Sequence, residues 1–185
     1  MPYNTLMPVF ADNVLRDSAQ PVTQFICSRI VCTTPEALPL GLLLTAIGIG
    51  AVSGALLVAS LPDKARRGSM LTIGNLGFPL VLLLFAASRS FVLSLLTLFA
   101  AGISFVWQNS LANTLLQLVT PDQVRGRVMS LYSLTFQGMM RVGGLQAGLT
   151  ADWIGAPLAV SIGAAVSLTY GLFVAIRFPK VRRMA

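Results

Sequence analysis

Two apolar runs without a single Asp, Glu, Lys or Arg, residues 40–61 and 70–88, flank the short charged turn Leu61-Pro62-Asp63-Lys64-Ala65-Arg66-Arg67-Gly68-Ser69. Each run has about the ~20 residues a helix needs to cross a hydrocarbon core of roughly 30 Å. A turn this short makes the two helices antiparallel neighbours. Its three cations, Lys64, Arg66 and Arg67, mark the membrane face on which it sits. Charged residues are 10% of the 185, apolar residues 55%, and the mean hydropathy is +0.79. A soluble domain carries roughly 25% charged residues, so the chain reads as an all-α integral membrane protein.

The remaining charge excludes other classes. The net charge of +7 does not point to nucleic acid, because the cations lie in short loops and at helix ends. There is no His, and the six acids Asp12, Asp17, Glu36, Asp63, Asp122 and Asp152 are scattered. Such spacing offers neither a metal site nor a catalytic pair within one helix, so no cofactor and no enzyme chemistry are expected. Asp63-x-x-Arg66 faintly resembles the start of a phospholipid alcohol-phosphotransferase motif. That chemistry needs further metal-holding aspartates a turn or two downstream, and the next acid is Asp122.

In order along the chain, residues 1–11 are apolar but interrupted by Pro2 and Pro8, too short to span, and read as a helix stub. Residues 12–39 collect charges and prolines and read as an extracytoplasmic loop or insertion with a short helical piece. Cys27 and Cys32 lie there, and inert thiols are expected over a disulfide, since two cysteines give too little pattern for a framework or a zinc site. Residues 40–185 form a membrane domain with five spans, at about 40–61, 70–88, 91–119, 128–151 and 158–176. Gly50 and Gly54 in the first span, and Gly144 and Gly148 in the fourth, place small residues four apart, where they let another backbone approach closely.

Two polar stripes interrupt this apolar background. Asn109, Asn113 and Gln117 recur every four residues in the third span, and Ser133, Gln137 and Arg141 do so in the fourth. Lipid cannot satisfy such a stripe, so it faces protein or a wet cavity. Interhelical hydrogen bonding and a substrate lining both fit the amides. Arg141 lies about ten residues from the end of its span at 151, roughly 15 Å. That is a long reach for snorkelling, so the guanidinium is expected to face the bundle interior. It can pair with an acid on another segment or with an anionic substrate.

Orientation follows from the cations. With five spans, the turn at 62–69, the loop at 120–127 and the C-terminal tail share one face and hold nine of the thirteen basic residues. That face is expected to be cytoplasmic, with the loop at 12–39 outside.

The ordered set of these stretches resembles the C-terminal half of a major facilitator superfamily transporter, nearest to bacterial exporters of the enterobactin-exporter type. Leu6-Met7-Pro8-Val9-Phe10-Ala11 resembles the end of that family's seventh helix, and Gly41 through Gly54 its eighth. Asp63, Lys64, Arg66, Arg67 and Gly68 are similar to the family's charged loop signature, although Arg66 stands where the pattern has glycine and Gly68 where it has its last basic residue. Asn113 to Gln117 with Pro121 to Ser130 resembles the tenth helix and its exit loop, and Ala151 to Pro157 the turn into the twelfth. Residues 17–35 match nothing in the family pattern.

The resemblance implies one six-helix bundle of two that rock about a central site in the bacterial inner membrane. It implies efflux of a small-molecule substrate by alternating access, with an N-terminal six-helix half missing from this chain. Asp63 in the loop signature is then either a cytoplasmic latch or part of a solvated turn that only sets topology. The competing expectation is a truncated, non-transporting membrane remnant that self-associates through its glycine faces.

Overall fold

The computed structural model describes residues 3–29, 34–60 and 67–177. Asp63, Lys64 and Arg66 of the loop signature, and Cys32, lie outside the described residues. The described residues fold into α1 (Tyr3–Val9), a π-helical turn (Phe10–Val14), α2 (Arg16–Cys27), α3 (Leu38–Ala59), α4 (Arg67–Ala87), α5 (Phe91–Val119), α6 (Asp122–Ile154) and α7 (Ala156–Arg177), with no strand among them. The protein is an all-helical, multi-pass membrane bundle.

Among the described residues, four helices are long and apolar enough to cross a membrane: α3, α4 from Gly68, α5 and α7. The sequence gives reason to expect five. The remaining stretch forms a single helix of 33 residues, α6, but Arg125, Arg127, Arg141 and Asp152 with several Gln, Ser and Thr dilute its apolar content. It differs from its neighbours in another way, since none of its residues is buried. Neither Thr120 nor Asp122 caps it. Thr120 Oγ1 donates back to the Leu116 carbonyl at 2.6 Å, and Asp122 pairs with Arg125 at 2.6 Å.

The N-terminal stub continues as helix well past residue 11. Leu15 N–H reaches the Phe10 carbonyl at 2.9 Å, five residues back, which makes the turn π-helical and absorbs one extra residue. Then α2 runs on as an amphipathic helix. Leu15 and Ala19 are buried and Val22 packs against the core, while Arg16, Asp17, Gln20 and Gln24 are exposed. Cys27 at its end is disulfide-bonded, which corrects the expectation of inert thiols.

The helices close into a ring. α3 packs on α5, α5 on α4, α4 on α7, α7 on α6, α6 on α1, and α1 returns to α3. α1 and the π-helical turn bury one face, through Tyr3, Leu6, Met7 and Phe10, against the other helices. Tyr3 meets Phe78 edge-on at 5.7 Å between ring centroids, Phe10 lies 4.7 Å from Phe85, and Phe78 continues to Phe105 at 5.7 Å. Outside, Leu44, Ile49, Leu80, Leu84, Leu96 and Phe173 are exposed. A belt of that kind marks a contact surface in water; around a helix bundle of this composition it is the face lipid covers.

Because lipid tails are as apolar as leucine, burial does not drive these helices together; close packing and interhelical hydrogen bonds do. The glycines of α3 supply the packing. A Cβ on Gly50 would collide with the Phe99 carbonyl oxygen, and one on Gly54 would lie 2.9 Å from Ile103 Cα. Gly102 reciprocates from α5, where a Cβ would collide with the Ile47 carbonyl oxygen. The Gly50–Gly54 face is therefore covered by α5 of the same chain and not by a partner half or by lipid.

One amide pair supplies an interhelical bond. Gln108 Nε2 on α5 donates to Asn75 Oδ1 on α4 at 2.9 Å. Pro79, fully buried four residues on, has no N–H for the Asn75 carbonyl, so this level of α4 is short of one helical hydrogen bond. α7 approaches here through Gly171, whose Cβ position is 3.3 Å from Asn75 Nδ2. Asn75→Leu, nearly isosteric, is expected to lower stability in detergent by about 1 kcal/mol, read as a lower midpoint in a denaturation series. An unchanged midpoint would contradict the bond's role.

A single-residue turn joins α6 to α7. Gly155 sits at φ +86° with its N–H on the Ala151 carbonyl at 2.8 Å. Only glycine takes that conformation readily, and it lets α7 start at once, so α6 and α7 run antiparallel.

Candidate substrate groove

Gln137, Arg141, Gly144, Gly148 and Asp152 succeed one another at intervals of three or four residues along α6, so they share one face of the helix. Opposite them stand Asn4 and Thr5 of α1. The two walls enclose an open groove of about 820 Å³. Met140, Leu145 and Leu149 complete its apolar lining. On the other side of α6, Gly143, Gln146, Ala147 and Thr150 line a smaller space of about 330 Å³ toward α7. α6 thus stands with a void along each flank, which explains why nothing on it is buried.

The floor of the groove is backbone. A Cβ on Gly148 would meet nothing within 4 Å. Sequence spacing suggests that Gly144 and Gly148 pack another helix; in the structure they border open space instead. Arg141 is exposed in the groove and makes no hydrogen bond or ion pair among the described residues. Gln137 is likewise exposed and unbonded. Pro8 has no N–H to offer the Asn4 carbonyl in the regular α-helical pattern. The result is one cation with amide and hydroxyl side chains that make no hydrogen bond among the described residues, along a groove whose other lining is apolar.

The amide stripe of α5 does not join this groove. Asn109 Nδ2 donates to the Phe105 carbonyl at 3.0 Å, and Gln117 Nε2 donates to Asn113 Oδ1 at 3.0 Å. These amides satisfy themselves within their own helix. α5 packs along α3 and α4, whereas α6 packs along α7 and α1, so the two stripes lie on different sides of the ring. Of the loop signature, Arg67 opens α4, and Gly68 is buried with its carbonyl accepting Thr72 Oγ1 at 2.9 Å.

Asn4, Thr5 and Asp152 are groove residues that sequence reasoning passed over. Asp152 reads as a turn residue because Gly155 and Pro157 follow, but α6 continues through it to Ile154. Extending the spacing from Gln137 through Gly148 by one more turn finds it. Asn4 has a weaker signal, its place four residues before Pro8.

With this geometry in hand, the relatives can be set beside it. The profile of the family described as transmembrane secretion effector matches residues 30–185. The chain belongs to that family, within the major facilitator superfamily of membrane transporters. It is 30% identical over 129 residues to the enterobactin exporter EntS of Escherichia coli O81 (strain ED1a), and equally so to those of Shigella flexneri and Escherichia coli O139:H28. The matched segment covers 70% of this chain but 28% of each of those relatives. No solved structure matches it.

Proposed function

We propose that this chain is part of a secondary-active efflux carrier that moves a small molecule by alternating access, and that it works with an N-terminal six-helix half. The observation that carries the reading is the groove between α1 and α6, with Arg141 and Gln137 unpaired on its wall. A charged side chain facing hydrocarbon is costly, so such a face is covered by protein or water. A second bundle across the groove supplies both, and water between the bundles is the path a substrate takes. That the chain matches only 28% of the length of its exporter relatives supports a partner half.

The carrier sits in the inner membrane with its C-terminus in the cytoplasm. Arg125 and Arg127 at the start of α6 and Arg177 at the end of α7 lie on one face, as the positive-inside rule asks of the cytoplasmic side. The disulfide-bonded Cys27 lies on the other, where oxidising conditions preserve it.

Comparative metabolite profiling of culture medium and cells tests the reading. Deleting the gene is expected to raise at least one small molecule inside the cell and deplete it outside, with restoration by the wild-type gene. Unchanged profiles in both compartments under every growth condition would overturn efflux. The second reading, a non-transporting self-associating protein, rests on the same uncovered groove, which another copy could also cover. Cross-linking through Gln137→Cys separates them: a homodimer favours self-association, a heterologous adduct the carrier.

A further inference from the structure

We propose that the groove on α6 selects amphipathic organic monoanions, with the acidic group on Arg141 and the apolar body laid over Gly144 and Gly148. The proposal rests on the carrier reading above and names the substrate class of the same site. Three observations carry it. Arg141 is the groove's cation and has no counter-ion among the described residues. A guanidinium presents a planar fork suited to a carboxylate or sulfonate, and bonds in which both partners are charged are the strong ones. The groove supplies the site, and the anion supplies the missing charge.

The second observation is the floor. One turn beyond Arg141, Gly144 and then Gly148 remove side chains from the helix face, and a Cβ at Gly148 would meet nothing within 4 Å. Leu145 and Leu149 border this strip and Met140 lies beside Arg141. A flat ring or short alkyl body fits against bare backbone between such side chains, as apolar parts of ligands do in pockets with a few placed polar groups. The body thus lies next to the acid and on its outer side.

The third observation is Asp152. It is eleven residues beyond Arg141 on the same face, about 16 Å along the helix axis. A ligand with one acidic group on Arg141 keeps its neutral end toward Asp152. A second acidic group at that end is brought nearer a like charge along the groove, which is unfavourable. Asp152 therefore discriminates against dianions and does not contribute to holding the monoanion.

Equilibrium dialysis against the purified full chain in neutral maltoside micelles tests the assignment with three probes: naphthalene-2-sulfonate, its neutral isostere naphthalene-2-sulfonamide, and naphthalene-2,6-disulfonate. Wild type is expected to bind the sulfonate about tenfold more tightly than the sulfonamide, the scale of one charge-assisted hydrogen bond. Arg141→Gln removes that preference, Arg141→Lys keeps part of it, and Asp152→Asn raises disulfonate affinity without changing that of the sulfonate. Retained sulfonamide binding by Arg141→Gln shows that the groove is still formed. Equal wild-type affinities for sulfonate and sulfonamide, or no saturable sulfonate binding, overturn the proposal and leave the efflux reading to its own metabolite test. A phospholipid headgroup offers the same chemistry. Anionic lipid that copurifies with wild type, is lost in Arg141→Gln and is not displaced by the sulfonate would overturn the soluble anion.

Discussion

Gly50→Val is expected to remove most of the assembled protein from the membrane. At Gly50 even a Cβ collides with the Phe99 carbonyl oxygen, and the two helices meet again where Gly102 faces the Ile47 carbonyl. The obstructing atoms are backbone, so relief requires α3 and α5 to separate along their shared length. Overpacking typically costs ~1–3 kcal/mol and occasionally more; a backbone clash at the most extensive helix contact belongs at about 3 kcal/mol or above. Against a total stability of roughly 5–15 kcal/mol that is a large loss. Thermal unfolding in maltoside, with membrane yield beside it, measures the effect. Gly41→Ala and Gly48→Ala, where a Cβ meets nothing within 4 Å, are controls expected to stay within about 0.5 kcal/mol of wild type. A wild-type melting curve for Gly50→Val would refute the close α3–α5 approach.

Gly148→Trp is expected to do the reverse, stopping transport and sparing the fold. Nothing within 4 Å opposes a side chain there, so stability stays near wild type. An indole on the groove floor occupies the strip, about two turns from Arg141, on which the proposed substrate body lies. Efflux of the molecule identified by metabolite profiling should fall by at least about tenfold, or ~1.4 kcal/mol in apparent affinity, with membrane yield unchanged. Full efflux with a tryptophan at this position would place the substrate path elsewhere.

These contrasting glycines show where the sequence was readable. Gly50-x-x-x-Gly54 and Gly144-x-x-x-Gly148 are the same pattern, and spacing alone announces close packing for both. What separates them is the opposing surface. α5 brings Gly102 and a bare stretch of backbone to the first pair, while the second borders a groove. That information is long-range and is not written in either motif. The helices themselves were legible from charge-free runs and their flanking cations, because the bilayer sets span length so firmly.

The candidate groove was legible in part. Arg141 and Gln137 stood out as polar residues on an apolar helix, and the structure places both in the groove. Asn109, Asn113 and Gln117 look similar in sequence but turn back onto their own helix, an option that four-residue spacing always allows amides. Among the described residues, the amide bond between helices joins Asn75 to Gln108, outside either stripe. The helical path through residues 12–27 was obscured by Asp12, Arg16, Asp17 and Pro21, which suppress hydropathy without preventing an amphipathic helix.

The groove of α6 is expected to be wet and to face a partner bundle, with lipid elsewhere. Labelling of single introduced cysteines in native membranes by a membrane-impermeant maleimide measures this directly. Gln137→Cys and Gly148→Cys are expected to label readily, whereas Leu80→Cys, an exposed position on α4, stays unlabelled until detergent is added. Gln137→Cys and Gly148→Cys as protected as Leu80→Cys would place that face of α6 against lipid and contradict the groove as a substrate path.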